Sequence, residues 1–177
     1  MLHPALYNDF SVKALCTEPA RVEETLLGLK ATFAGADEQK DIYFKTAVGK
    51  LKLRQGRLEN ILIHYYRSSS EDKLMHTRVF QYLPNPGKEK IDMLYGTREV
   101  IGEFKKVRRT YVLENAKVHL DKTTTGESYV EIEVFDTTGT RELQELKKQC
   151  GQIMNLLYIK ASDIVNDGYF NPEKQIG

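Results

Sequence analysis

The sequence predicts an α+β chain of short antiparallel strands, and its alternation suggests a closed barrel with a polar interior flanked by helices. Three observations carry this. Seven or eight short segments alternate charged with apolar residues, glycines and a Pro84-Asn85-Pro86-Gly87 break punctuate them, and three stretches of helical period are set among them. The clearest alternation is Lys50-Leu51-Lys52-Leu53-Arg54. Successive strand side chains point to opposite faces, so three cations share one face and two leucines the other. Closing the sheet removes exposed edges. An open sheet with one solvated face carries the same alternation, and the charges alone do not separate the two.

A first strand spans about 8–16. Thr17, Glu18 and Pro19 then start a helix, since proline is accepted in a first turn. Val22, Leu26, Leu27, Leu29 and Phe33 give it a buried stripe, and Gly35 closes it. Strands follow near 39–47, 50–56, 60–68 and 75–83, with Gly49 and Gly56 as turn residues. After the proline break a second helix runs over about 88–102, with Ile91, Leu94, Tyr95 and Ile101 on its apolar face. Strands resume near 104–113, 116–123 and 128–136, the last two joined by Thr125-Gly126. Beyond Gly139 a helix at about 140–157 keeps its period in Leu143, Leu146, Cys150, Ile153 and Leu157. The polar tail from Asn171 to Gly177 is expected to fray.

At 177 residues without a linker or repeat, one domain over 1–177 is the economical expectation. A net charge of +1 provides no global basic field for nucleic acid, so any anion site comes from local clustering. Cys16 and Cys150 have neither disulfide-framework nor metal spacing, which fits a reduced, cytoplasmic setting. No secretory signal is visible at Met1–Asp9 and no apolar run approaches membrane-spanning length, so no membrane partner is expected.

The cationic strand has companions. Arg67 shares a face with Ile63 and Tyr65, Lys106 shares one with Arg108, and Lys13 lies in the first strand. Each cation singly reads as a solvated surface group, and the Lys50–Arg54 run alone reads as a charged edge strand. Several strands each offering cations to one face is more than an ordinary surface requires. The acidic counterpart is Glu131-Ile132-Glu133, whose carboxylates share a face, with Asp121 on the preceding strand beside Lys117 and His119. Such carboxylates near phosphates suit a hard cation, which takes oxygen ligands; ion pairing on a wet sheet accounts for the same pattern. His3, His64, His76 and His119 lack metal spacing, and only His119 belongs near a site. No nucleophilic triad and no G-x-x-x-x-G-K-[ST] loop is present.

The order of these segments carries more than any one of them. Gln39-x-Asp41-x-Tyr43-Phe44, Leu51-Lys52-Leu53-Arg54 and Leu62-Ile63-x-Tyr65-x-Arg67 are followed by Lys106-x-Arg108, Val118-His119-Leu120-Asp121 and Gly126-x-x-x-x-Glu131-x-Glu133. Over about residues 8–165 this resembles the CYTH superfamily of triphosphate tunnel metalloenzymes, closest to its class IV adenylyl cyclase and thiamine triphosphatase-like branch. The resemblance implies a closed eight-stranded antiparallel tunnel that holds triphosphate by Lys and Arg and binds Mg²⁺ or Mn²⁺ by carboxylates. It implies a substrate such as ATP, thiamine triphosphate or inorganic triphosphate, and homodimerisation as one assembly. By position it assigns phosphate to Lys13, Lys50, Lys52, Arg54, Arg67, Lys106 and Arg108, with Lys73, Arg78 and Lys160 as weaker matches. Metal falls to Glu131, Glu133 and Asp9, and catalysis to Glu131, Glu133 and Asp121.

One departure stands out. Where the family's first strand carries E-x-E-x-K, this chain reads Asp9-Phe10-Ser11-Val12-Lys13. Ser11 offers only a neutral oxygen in place of a carboxylate, which weakens metal binding. The expectation is therefore a metal-dependent triphosphatase. The alternatives are an adenylyl cyclase forming cyclic AMP and pyrophosphate, and a catalytically impaired nucleotide or polyphosphate binder.

Overall fold

Alternation sorts the side chains of this protein in an inverted sense: the charged faces turn inward and the apolar faces turn outward. The computed structural model describes residues 5–136 and 138–166. The expected frayed tail and His3 lie outside the described residues. Eight strands form the sheet: β1 (Tyr7–Leu15), β2 (Thr32–Phe44), β3 (Lys50–Gln55), β4 (Ile61–Ser69), β5 (Met75–Pro84), β6 (Val100–Leu113), β7 (Ala116–Thr123) and β8 (Ser128–Asp136). They are ordered β1-β5-β4-β3-β2-β6-β7-β8 and close because β8 pairs back onto β1, with all neighbours antiparallel. Closure settles the alternative left open by the charge pattern.

The helices cover the outer face. α1 (Pro19–Gly28) and α3 (Leu143–Leu156) lie over β1, β7 and β8, where Val12, Val118, Ile132, Leu26, Leu146 and Cys150 build one core. α2 (Lys88–Thr97) sets Leu94 on Ile42, Phe44, Leu53 and Leu62, a second and smaller core. Apolar burial is thus placed between barrel and helices, which frees the interior for polar groups. Both cysteines are buried and free. Among the described residues no helix is long and apolar enough to cross a membrane.

Three boundaries differ from the sequence expectation. The first helix stops at Gly28, because Lys30 takes a left-handed φ of 63° and turns the chain into β2. Leu27 and Phe33 are consequently exposed, and Gly35 sits inside β2 rather than closing a helix. It occupies a bulge at φ 137°, and a Cβ there would meet Leu58 Cδ1 at 2.5 Å. The second helix ends at Thr97, so Ile101 belongs to β6. Helical spacing can be counted across a break that only backbone dihedrals reveal.

Candidate functional site

Inward-facing residues fill the barrel in two zones. The open zone is a cavity of about 500 Å³ lined by Asp9, Lys52, Arg54, Arg67, His119 and Glu133, with Thr77 and Tyr65 among them. Below it lies a closed lattice of Lys13, Lys106, Arg108, Asp121 and Glu131, none of which lines the cavity.

The cavity cations are held on carboxylates. Arg54 grips Asp41 through two bonds, Nε–Oδ1 at 2.7 Å and Nη2–Oδ2 at 2.8 Å, and reaches Glu59 at 2.9 Å. These partners meet because Asp41 and Arg54 are directly opposed in the β2–β3 register. Glu59 is placed by Asp37, which accepts from the Arg57 and Glu59 amides at 2.8 and 3.1 Å. Gly56 makes that loop possible, since a Cβ there would lie 2.2 Å from Asp37 Oδ2. Lys52 stands 3.8 Å from Asp41 and 5.5 Å over the Tyr65 ring. Arg67 donates to Thr77 at 3.0 Å and lies 3.6 Å from Glu131 and 3.9 Å from Glu133.

Burial, then the Arg54 charge, pushes Lys52 down to about 8. Its charge is therefore lost as pH rises through about 8, and a bound anion restores it. Above that pH, tripolyphosphate binding is expected to take up more protons in the parent than in Lys52→Arg, whose guanidinium stays charged. Calorimetry in buffers of different ionisation enthalpy reads this, and equal uptake would remove Lys52 from the anion site.

The opposite wall is acidic. Burial and the neighbouring Glu133 carboxylate push Asp9 up to about 8, and its Oδ1 is buried without a hydrogen-bond partner. Against burial and the adjacent Glu131, a bond from His119 at 3.1 Å holds Glu133 down at about 2. Burial, then Arg108, keeps His119 low, so the neutral ring donates from Nε2 to Glu133 while Nδ1 accepts from the Thr110 hydroxyl at 2.9 Å. Ser11 is buried directly opposite Glu133 on the same face.

In the closed lattice Arg108 donates twice to Asp121, at 2.7 and 2.6 Å, and once to Glu131 at 2.6 Å. Lys106 adds a bond to Asp121 at 3.0 Å, and Lys13 lies 3.7 Å from Glu131. Against the cost of burial, Arg108 and then Lys106 hold Asp121 far below the usual carboxylate range.

This geometry sorts the expected residues. Lys52, Arg54, Arg67, Asp9 and Glu133 meet at the cavity. Lys50 shares the inward face at the start of β3 but does not line the cavity. Lys13, Lys106 and Arg108 point inward as expected, yet they serve as counter-ions beneath the cavity rather than lining it. Asp121 and Glu131 are placed in the lattice and not on the cavity lining: Arg108 bonds both Asp121 oxygens and Glu131 Oε2, while Glu131 Oε1 lies 3.6 Å from the cavity residue Arg67. The weaker matches also fall away. Arg78 alternates with inward-facing Thr77 and packs outside over Tyr66 and Phe80, Lys73 occupies the β4–β5 turn, and Lys160 is exposed beyond α3. Asp41, Glu59, Tyr7 and Tyr82 were not anticipated. Asp41 alone had a signal, its place opposite Arg54 across a short hairpin.

An oxygen-ligated cation fits one place. Asp9 and Glu133 flank Ser11 on the inward face, and Asp9 Oδ1 is a buried hard donor with no hydrogen-bond partner. Among the described residues no three His, Cys, Asp or Glu side chains are gathered into a ready metal cluster. Glu131, the other carboxylate that the resemblance assigns to metal, has its Oε2 bonded by Arg108 at 2.6 Å.

A closed eight-stranded antiparallel tunnel with cations facing carboxylates across its interior defines the class. The CYTH domain model matches residues 12–169, and the chain belongs to the CYTH family. Solved structures share the fold. The PH1012 protein of Pyrococcus horikoshii OT3 is 21% identical with a TM-score of 0.74, over 91% of this chain and 96% of that one. A candidate adenylate cyclase from Vibrio parahaemolyticus is 13% identical with a TM-score of 0.71, over 91% and 94%. A candidate adenylyl cyclase from Hippeastrum with a dominant triphosphatase activity is 16% identical with a TM-score of 0.59, over 93% and 92%. No curated protein matches the chain by sequence.

Proposed function

We propose that this protein is a divalent-metal-dependent triphosphatase that holds its substrate inside the barrel and cleaves a terminal phosphoanhydride. The observation that carries this is the cavity wall of Lys52, Arg54 and Arg67 facing Asp9 and Glu133. Family membership and the triphosphatase activity of the Hippeastrum relative support the same reading.

Lys52, Arg54 and Arg67 neutralise phosphate oxygens and stabilise charge that grows on the leaving group. Asp41 and Glu59 keep Arg54 aimed at the cavity, so little reorganisation is needed when the substrate arrives. Asp9 and Glu133 would hold Mg²⁺ or Mn²⁺ together with substrate oxygens. When bound, that ion supplies further charge neutralisation across the phosphates. Glu133, fixed by His119, accepts a hydrogen bond from the attacking water. It is a weak base, but a loose phosphoryl-transfer transition state asks mainly for positioning and charge stabilisation. Burial and Glu133 push Asp9 up to about 8, so a cation held there would take the place of its proton.

The test is product analysis with ATP, thiamine triphosphate and inorganic triphosphate, each with Mg²⁺ or Mn²⁺. Phosphate release is the expected result. Cyclic AMP with pyrophosphate from ATP would assign the cyclase reaction, and tight binding without product would leave a binding module. Ser11→Glu adds a third carboxylate between Asp9 and Glu133. Mn²⁺ is expected to raise the Tm of this variant more than that of the parent. An equal Tm gain would remove the metal from this wall.

A further inference from the structure

Two cations of the inner wall share one aromatic ring. Tyr65 is 4% exposed and lines the cavity, with Lys52 Nζ 5.5 Å and the Arg67 guanidinium 5.2 Å from its ring centroid. The register explains the arrangement. Lys52 is paired with Ile63, two residues before Tyr65, and Arg67 follows two residues after it, so the ring stands between them along the inward face. Both contacts lie within the distance at which a cation is drawn to the negative face of an aromatic ring. Beside Tyr65 the β4–β5 register slips, and the residues past the slip are re-aimed so that Tyr82 also lines the cavity.

Lys52, Arg54 and Arg67 repel one another while the cavity is empty. Burial comes first among the causes that bring Lys52 down to about 8, and the Arg54 and Arg67 charges push the same way. Asp41 of β2 and Glu131 of β8 act against them. A further carboxylate at position 65 would steady Lys52 and Arg67, but it would cancel charge that an anion needs. An aliphatic side chain there would keep the charge and leave the repulsion unrelieved. The ring avoids both faults, because its quadrupole attracts the two cations while its net charge stays zero. Burial, the leading cause, holds the Tyr65 hydroxyl above the ordinary tyrosine range, so the ring stays neutral well past neutral pH.

We propose that Tyr65 is a positioning residue of the anion wall, a neutral spacer that holds Lys52 and Arg67 apart and charged for an incoming polyphosphate. The inference rests on the triphosphate reading above and deepens it. Its test is calorimetric binding of tripolyphosphate at pH 8, without metal, to the parent, Tyr65→Leu and Tyr65→Phe, and to Tyr65→Phe proteins whose ring carries one, two or three fluorines. Fluorine withdraws charge from the ring face with little change of volume, so this series reads the electrostatics of the ring and spares the packing. Tyr65→Phe keeps the ring and should retain the parent's affinity. Affinity should then fall stepwise with each fluorine, by about 5- to 30-fold for the trifluorinated ring, the upper range of cation–π contacts. Tyr65→Leu should lose affinity on the same scale. In a Lys52→Met background the fluorine series should flatten, because one of the two cations it acts through is gone. A level fluorine series in the parent background overturns the proposal. So does a Tyr65→Phe loss as large as that of Tyr65→Leu, since the hydroxyl and not the ring would then be the contact. If the parent binds no tripolyphosphate, the triphosphate reading fails on its own. Titration of Lys52 Nζ by NMR then decides for the ring: each fluorine should lower the pH at which Lys52 loses its proton, and an unchanged titration overturns the proposal.

Discussion

Replacing Arg108 with Met is expected to destabilise the protein by about 3–5 kcal/mol. Its guanidinium is 2% exposed and makes all three of its short bonds to Asp121 and Glu131. Methionine fills much of the volume but leaves a buried carboxylate short of charge. The cost is the stranded anion more than the lost attraction, as breaking one side of a buried pair usually shows. For a chain of this length the drop in Tm is roughly 6–20 °C. Removing Asp121 as well, in Arg108→Met/Asp121→Leu, should recover part of the loss because Lys106 is already held far below its usual pKa by burial. In the parent, the depressed Asp121 contributes stability that is present above the ordinary carboxylate range and lost as pH falls. In the single variant Asp121 protonates more readily, so its deficit should narrow between pH 7 and pH 5. Thermal and urea unfolding at both pH values read this out. Lys88→Met, at the exposed Lys88–Asp92 pair, serves as the control and should change little. An Arg108→Met protein as stable as the parent would mean that the lattice does not hold the barrel.

Strand parity made much of this architecture legible. It grouped Lys50, Lys52 and Arg54, set Arg67 with Tyr65, and paired Glu131 with Glu133, and all of these face the interior. Parity states a face, however, and not a depth. Lys106 and Lys52 look alike in sequence, yet one lies under Asp121 and the other lines a cavity, because cross-strand partners decide who is free to meet a ligand. Parity also fails where a bulge adds a residue, which is how Tyr82 escaped notice. Glu59 has no periodic signal because it sits in a loop positioned by Asp37, twenty-two residues earlier in the chain. Helical spacing misled at Phe33 for a similar reason: a single left-handed residue, Lys30, ended the helix before that position. What was not legible is thus local irregularity and register, not the alternation itself.

Lys52→Met is expected to weaken metal-free tripolyphosphate binding by about 10- to 100-fold, on the scale of a lost hydrogen bond to a charged group. Lys52 is the informative cation because it can be removed cleanly. Asp41 retains both bonds from Arg54, so no buried anion is stranded, whereas Arg54→Met would leave Asp41 and Glu59 without their main partner and mix folding with binding. The loss of charge next to Arg54 and Arg67 even relieves some repulsion in the empty cavity. Stability should therefore hold while affinity falls, and that divergence is the signature of a group kept for its ligand. Lys40→Met provides the contrast. Lys40 pairs with Glu103 on the outer face at 2.9 Å, and its removal should change affinity less than twofold. Titration calorimetry on the three proteins at pH 7 separates the cases. Equal effects of Lys52→Met and Lys40→Met would mean that anions bind through diffuse charge and not at the inner wall. Added salt should weaken binding in the parent only modestly, since an enclosed charge pair is screened less than an exposed one.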